Sequence, residues 1–294
     1  RASIQISGGL ALMAPGVVLR YTGFSHEPGI EASLFGLAIL GGAFLLSIGA
    51  EIAQLDVSRS LALAFLALIA VLPEYAVDLV FAWKAADDPI FAQYAAANMT
   101  GANRLLIGIG WAVVVFLFWF KRRRGPLVLG EHQSIELSFL LLATGWAFTI
   151  FLRTLFMSGS LTLVDSAVLV SLFVIYIVVS SRGKPEEEPL LVGPAAMIST
   201  LGKMPRRTAA LGLFLIPAFV ILLSAEPFAE SLIKTGTKHG IDEFTLVQWI
   251  APLASEAPEI AIAVIFVFRG MAAMAMATLI ASKVNQWTLL VGTL

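Results

Sequence analysis

The sequence predicts an all-α polytopic membrane protein, built from an inverted-topology repeat of transmembrane helices whose core helices are broken by proline. Three observations predict this fold class: long apolar segments, an uneven distribution of basic residues, and a Pro–Glu motif that occurs twice. Of the 294 residues, 59% are hydrophobic and only 13% are charged, against about 45–50% and about 25% in soluble domains. The formal net charge of −1 gives no indication of a nucleic-acid partner. The absence of cysteine excludes disulfides and thiolate metal sites.

A helix needs roughly 20 mostly apolar residues to cross a bilayer. This criterion gives segments at 5–24, 32–55, 58–83, 90–119, 135–157, 161–181, 209–233, 244–269 and 271–294. The first segment contains Pro15 and Arg20 but no clear cleavage site, so we predict that 1–30 holds an extra transmembrane helix rather than a signal peptide. The apolar runs are continuous, which favours helices over an outer-membrane barrel. The last segment extends to Leu294, so we expect the second half to be truncated.

Basic residues predict the orientation of the chain. The run Lys121–Arg124 follows the fourth segment, and five more basic residues lie between the sixth and the seventh. The positive-inside rule then makes both of these loops cytoplasmic, together with the amino terminus. Region 182–208 combines acidic residues with several Pro and Gly. We predict that it is a cytoplasmic linker between a first repeat half at 31–181 and a second at 209–294.

Two Pro–Glu motifs indicate the internal repeat. Leu72-Pro73-Glu74 lies in the third segment and Ala257-Pro258-Glu259 in the eighth, and the predicted orientation makes these segments cross the membrane in opposite directions. The surroundings of the two motifs also repeat in the same order. We expect an acid near the end of the preceding helix, Glu51 in the first copy and Glu226 in the second. A stretch of small residues follows each motif, at 97–103 and at 277–283. This order is typical of an inverted-topology repeat.

Each motif places a carboxylate beside a helix break at membrane depth. Proline removes a backbone donor and frees carbonyl oxygens near the break, and carboxylates and carbonyls are the ligands of hard cations such as Ca2+ and Na+. Ionisable groups inside a membrane often mark ion paths or proton relays. We therefore predict that Glu74 and Glu259 meet near the midplane and bind a metal cation. Asn98 and Thr278, on the following helices, would supply neutral oxygen atoms. A plain hydrogen bond between helices stays open for Asn98, as does packing within its own helix for Thr278.

Further ionisable residues accompany the motifs. Asp78 lies four residues after Glu74, and Glu256 lies three residues before Glu259, so each pair shares a helix face. Like charges crowded in a low dielectric favour protonated carboxyl groups, so such a site could bind a cation and protons in turn. We predict Glu256 as a cation ligand and Asp78 as a proton-coupling or outer group.

Two basic residues occupy corresponding places in the small-residue stretches, Arg104 and Lys283. They could pair with Glu256 or Asp78 and tune the site, or they could take the place of a bound cation. Both alternatives stay open at this point.

With these motifs the chain resembles the calcium/cation antiporter superfamily, which comprises sodium/calcium and calcium/proton exchangers. Each repeat of that superfamily carries a Gly-Thr-Ser-Leu-Pro-Glu-like motif and, on the next helix, a Gly-Asn-x-x-Gly-Ser-Asn-like motif. The corresponding stretches here are 70–74 with 97–103 and 255–259 with 277–283, within roughly 31–120 and 209–294. The resemblance implies about ten core helices and assigns the conserved amide of the family motif to Asn98. It is closest to a bacterial branch labelled sodium:proton or sodium/calcium exchangers, which implies a bacterial inner membrane.

The resemblance also assigns the paired ion-binding acids to Glu74 and Glu259. Four positions depart from the motif: Val71 replaces a hydroxyl ligand, Glu256 adds an acid at the equivalent place, Thr278 replaces the second amide or acid, and Lys283 replaces an asparagine. A lost sodium ligand together with an added acid and base favours coupling to protons.

These inferences predict a secondary active antiporter that moves Ca2+ or Na+ in exchange for Na+ or H+, by alternating access around paired glutamates. No cofactor is expected; the expected partners are the lipid bilayer and small inorganic cations, and the sequence does not define the oligomeric state. A membrane-embedded enzyme with carboxylates as acid and base is one alternative, although no Ser/His or paired-Asp motif lies at membrane depth. A non-transporting structural relative, which Arg104 and Lys283 would suit, is another.

Overall fold

The structure is a computed structural model that describes residues 2–23, 27–53, 55–56, 72–122, 126–129, 131–156, 161–181, 191 and 193–293. Every regular element within these ranges is a helix. The α-helices are α1 (Ala2–Thr22), α2 (Pro28–Ala53), α3 (Leu72–Lys84), α4 (Ile90–Asn103), α5 (Trp111–Arg122), α6 (Glu131–Thr154), α7 (Leu163–Ser181), α8 (Pro194–Ser199), α9 (Lys203–His239), α10 (Glu243–Phe268), α11 (Ala272–Asn285) and α12 (Val291–Thr293). Two π-helical segments, Arg104–Gly110 and Gln286–Leu290, connect α4 to α5 and α11 to α12.

Six helices in the described part of the chain are long and apolar enough to span a membrane: α1, α2, the continuous run from α4 to α5, α6, α7 and α9. Helix α10 is broken at residue 258, and its two parts together qualify as a seventh span. The predicted all-α fold is therefore confirmed. The predicted break of a core helix is seen in α10. Residues 58–71 of the predicted third segment lie outside the described residues, so only its second part is seen, as α3.

Helix α9 is longer than the apolar run predicted. It has 37 residues and ends where Gly240 adopts a left-handed conformation with φ 64°, which glycine takes without steric cost. Its first residues and all of α8 fall within the predicted linker at 182–208, and Ala195 and Ile198 of α8 are buried against α1, α2 and α9. From residue 193 onward, the predicted linker is therefore largely helical and partly buried.

Glu226 does not lie near a helix end, contrary to our expectation. Although Pro227 follows it, α9 continues to His239 because apolar residues extend the helix on both sides of the proline. The Glu226 carboxylate lies 3.8 Å from Arg20 of α1 and 3.9 Å from Lys84 of α3. Lys84 also pairs with Glu230, one turn further along α9. These ion pairs tie the end of α3 to α9.

The chain forms two compact units: Arg1–Leu105 with Glu186–Pro258, and Leu106–Pro185 with Glu259–Leu294. Each unit combines segments from both predicted repeat halves. The division into halves at 31–181 and 209–294 stays a prediction.

The first unit is built around α2 and α9, which pack along each other, with α1 against α2 and α3 against α9. Two glycines of α2 allow this close packing. A Cβ atom at Gly42 would lie 2.8 Å from Cγ1 of Ile221, and one at Gly49 would lie 3.0 Å from the carbonyl oxygen of Leu213. Small residues at helix contacts are the usual means by which membrane helices gain van der Waals contact.

Ion pairs join α2 and α9 at both ends. Beyond the end of α2, the carboxylate of Asp56 accepts hydrogen bonds from Arg206 at 2.9 and 3.0 Å and from Arg207 at 3.1 Å. Before the start of α2, Glu27 pairs with Lys238 at 3.1 Å and with His239 at 3.2 Å. The start of one helix is thus paired with the end of the other, so α2 and α9 are antiparallel.

In the second unit, an ion pair between a buried carboxylate and a partly exposed arginine joins α6 to α7. Asp165 is completely buried; it accepts hydrogen bonds from Arg153 at 2.6 Å and from Nε1 of Trp146 at 3.0 Å. Helix α11 packs against α5 and α6, while α12 packs against α7. Lys121 of α5 donates a hydrogen bond to the carbonyl oxygen of Phe268, at the end of α10.

We expect Asp56→Asn to lower the melting temperature at neutral pH, because Arg206 and Arg207 both lose their anionic partner. The hydrogen bond from Arg206 is the main cause that lowers the pKa of Asp56 below its ordinary value of 3.8. The stabilisation is therefore complete above that value and is lost as the pH falls through the lower pKa of the folded protein. The measurement is thermal unfolding of wild type and variant across a pH series.

The two arginines provide a graded control. Arg206→Gln removes two hydrogen bonds and Arg207→Gln removes one, so the first should destabilise more. Equal melting temperatures for wild type and Asp56→Asn at neutral pH would contradict the stabilising role of this ion pair.

Candidate cation-binding site

Four of the predicted site residues belong to the first unit and are buried. Glu74, Asp78, Asn98 and Glu256 expose 2%, 0%, 1% and 4% of their surfaces. They come from three helices: α3 supplies Glu74 and Asp78, α4 supplies Asn98, and the first part of α10 supplies Glu256. Carboxylates are almost never fully buried in proteins unless they are paired, so these helices carry polar groups that need a compensating partner.

The acids of α3 share one face of that helix. Glu74 directly follows Pro73, and Asp78 comes one turn later, at a spacing of four residues. Pro73 is the second residue of α3 as the structure describes that helix. Val71, the predicted departure from the family motif, lies outside the described residues.

Asp78 and Asn98 are joined directly. Nδ2 of Asn98 donates a hydrogen bond of 2.8 Å to Oδ1 of Asp78. The second carboxylate oxygen, Oδ2 of Asp78, and the amide oxygen, Oδ1 of Asn98, are buried without a hydrogen-bond partner among the described residues. Glu256 lies close enough to Asp78 to interact with it electrostatically. An unsatisfied buried acceptor costs about 1–3 kcal/mol. Oδ2 of Asp78 is therefore suited to a proton or a cation, and Oδ1 of Asn98 is suited to a cation.

A glycine brings the amide-bearing helix α4 against α10. A Cβ atom at Gly101 would lie 1.9 Å from the backbone oxygen of Gln248 and 2.8 Å from Cγ of Pro252. Gln248, Pro252 and Glu256 recur every four residues and thus line one face of α10. Asn98 precedes Gly101 by three residues on α4, so the Gly101 contact brings the face with Asn98 towards the face with Glu256.

The second unit holds three other predicted residues, Glu259, Thr278 and Lys283. Glu259 is partly buried. Lys283 is completely buried and donates a hydrogen bond to Oε1 of Gln286. Thr278 donates its hydroxyl hydrogen to the carbonyl oxygen of Met274, in its own helix, at 3.0 Å. The predicted meeting of Glu259 with Glu74, which belongs to the first unit, stays a prediction, as does ligation by Thr278.

Arg104 forms a hydrogen bond with Gln248, a residue that the sequence analysis did not single out. Its Nη1 donates to Oε1 of Gln248 rather than to Asp78 or Glu256. Gln248 and Gln286 were both missed by sequence reasoning, although a signal existed: Gln248 lies two helical turns before Glu256, and Gln286 lies one turn after Lys283.

Among the described residues, no group of three or more His, Asp or Glu side chains is arranged so that it could hold a metal ion. The assembled feature is thus the hydrogen-bonded pair of Asp78 and Asn98, with Glu256 nearby.

We expect Gly101→Ala to be strongly destabilising, because the added Cβ atom would collide with backbone of α10 rather than with a flexible side chain. Overpacking of this kind costs about 1–3 kcal/mol or more. Thermal unfolding of the purified variant measures the effect. Gly145→Ala is the matched control, since nothing lies within 4 Å of a Cβ atom there. A Gly101→Ala variant as stable as Gly145→Ala would contradict the close contact.

Comparison with known proteins identifies relatives of this chain. Residues 30–182 and 209–294 match the family described as sodium/calcium exchanger protein. The crystal structure of the H+/Ca2+ exchanger CAX superposes with a TM-score of 0.92 at 44% identity, covering 99% of this chain and 73% of that one. A search of curated proteins gives no match.

Two further solved structures share the fold at low identity. Native YfkE has a TM-score of 0.69 at 14% identity, covering 99% of this chain and 80% of that one. The sodium-calcium exchanger NCX_Mj, soaked with Na+ and Sr2+, has a TM-score of 0.57 at 20% identity, covering 90% and 81%. The predicted exchanger-like fold and superfamily are thereby confirmed. The chain belongs to the sodium/calcium exchanger protein family.

Proposed function

We propose that the chain is a secondary active antiporter that exchanges Ca2+ for H+ across a membrane. The observation that carries the proposal is the group of buried acids and one amide in the first unit, Glu74, Asp78, Asn98 and Glu256. The 44% identity with a protein described as an H+/Ca2+ exchanger supports this choice of ions. Membership of an exchanger family favours transport over the enzyme considered from the sequence.

The residues of this group suit both ions. Ca2+ takes six to eight oxygen ligands, and Oδ2 of Asp78 and Oδ1 of Asn98 are acceptors without a hydrogen-bond partner in the described part of the chain. Several buried carboxylates cannot all carry charge in an apolar surrounding unless a cation or protons compensate them. Binding of Ca2+ therefore displaces protons from the acids, and protonation of the acids displaces Ca2+. This competition is the chemical basis of exchange.

The remaining site residues take their proposed roles in the same scheme. Glu259 is the acid of the second Pro–Glu motif, and Thr278 is a neutral ligand. Lys283, in the second unit, stands where the family motif has an asparagine, so a neutral oxygen donor is replaced by a basic group. This favours protons over Na+ as the counter-ion.

The proposed orientation has a cytoplasmic amino terminus in the inner membrane of a bacterium. It is supported by the basic run that begins at Lys121 and by the basic residues before and at the start of α9.

We expect Glu74→Gln and Glu256→Gln each to reduce Ca2+ uptake into proteoliposomes at least about tenfold, a loss of about 1.4 kcal/mol, because each removes a buried carboxylate. The measurement is uptake driven by a proton gradient, with monodisperse protein in every sample. Asp87→Asn is the matched control, since Asp87 is exposed in the loop after α3. Uptake at the wild-type rate by the Glu74→Gln, Glu256→Gln double variant would contradict the proposed site and favour a non-transporting role for these acids.

The counter-ion has its own test. We expect a proton gradient to drive Ca2+ uptake, and a Na+ gradient to fail once ionophores hold the pH equal on both sides. The Ca2+ concentration that gives half-maximal uptake should rise as the pH is lowered, because protons compete for the same carboxylates. Uptake driven equally well by Na+ at clamped pH would refute proton coupling while leaving antiport intact.

A further inference from the structure

A chain of polar side chains joins α4 to the first part of α10. Nη1 of Arg104 donates to Oε1 of Gln248, and Nε2 of Gln248 donates to Oγ1 of Thr100 at 2.9 Å. Thr100 in turn donates to the backbone oxygen of Ala96 at 2.7 Å. Gln248 is 6% exposed, and both ends of its amide are thus engaged by residues one turn apart along α4 and the π-helical segment that follows it.

This arrangement fixes the register of the two helices. The contact between Gly101 and the backbone of Gln248 sets how closely α4 and α10 approach, but a smooth contact alone permits sliding. A shift of one residue along a helix moves a group by about 1.5 Å, which would move the Gln248 amide out of hydrogen-bond range of one of its two partners. Asn98, two residues before Thr100, keeps its place relative to Glu256 only while this register holds.

The position of Arg104 adds to the argument. It begins a π-helical segment, and single π-helical turns occur frequently at functional sites. Arg104 is exposed apart from this contact, and its described hydrogen bond is to Gln248. A hydrogen bond between a charged donor and an amide is stronger than one between neutral groups. The bond to Gln248 therefore gives the exposed arginine a means of acting on the buried site that does not depend on long-range charge.

We propose that Arg104 and Gln248 are positioning residues for cation binding: they hold the Asn98 face of α4 in register with the Glu256 face of α10. This inference rests on the proposed function, since it concerns the affinity of the same site. Neither residue touches the ion in this scheme. Their effect is transmitted through Thr100 and the helix register.

The test is a double-mutant cycle with Arg104→Met and Gln248→Leu, read out as equilibrium Ca2+ binding in detergent and as proton-driven uptake. Each single variant should weaken Ca2+ binding about tenfold, the change expected when a hydrogen bond to a charged group is lost. The double variant should be little worse than either single variant, because both break one chain of hydrogen bonds. Arg104→Lys should restore most of the affinity, since lysine keeps a charged donor.

Controls separate positioning from charge and from folding. Arg269→Met removes an exposed positive charge after α10 and should leave the Ca2+ affinity unchanged. Tighter Ca2+ binding by Arg104→Met with no effect of Gln248→Leu would overturn the proposal in favour of simple repulsion. Lower melting temperatures with unchanged affinity would overturn it in favour of a structural role. Wild type that binds Ca2+ without proton-driven uptake refutes only the proposed coupling, whereas wild type that binds no Ca2+ refutes both.

Discussion

The free-energy cost of placing carboxylates among apolar helices is the constraint on which the rest of the structure depends. Three acids of the first unit, Glu74, Asp78 and Glu256, are almost fully buried, so little of their surface is open to solvation. Hydrogen bonding from Asn98 compensates one oxygen of Asp78, and the other oxygen keeps its capacity to accept a proton or a cation. A site that is incompletely satisfied by its own protein is one that gains free energy from a ligand.

Close helix contacts make this burial possible. Gly101 lets α4 reach the backbone of α10, and Gly42 and Gly49 let α2 reach α9. Lipid tails are as apolar as the helices, so these contacts depend on shape rather than on the hydrophobic effect. Specific polar contacts then fix the register of neighbouring helices, which shape alone does not define. The Gln248 amide fixes the register of α4 against α10, and ion pairs fix that of α2 against α9.

The sequence predicted the helical fold and the burial of Glu74, Asp78, Asn98 and Glu256, because charge within long apolar runs is a strong local signal. It did not predict that Arg104 would bond to Gln248, since the partner lies 144 residues away and an amide does not interrupt an apolar run. The position of Glu226 inside α9 was also missed. The acid was expected near a helix end, but α9 continues through Pro227 to His239. Which residues face each other across helices is determined by packing, which periodicity alone does not define.

The pairing of α2 with α9 has a consequence for biosynthesis. Asp56 and Arg206 are separated by 150 residues, so α2 enters the membrane well before its principal partner has been translated. Until then the face of α2 with Gly42 and Gly49 contacts only lipid or transient neighbours instead of α9. The carboxylates of α3 likewise lack α10 as a neighbour. The first unit is therefore completed only when synthesis has reached Pro258. Before that point, the buried polar groups of the inserted nascent chain lack their partners, so the chain is then most prone to misfolding.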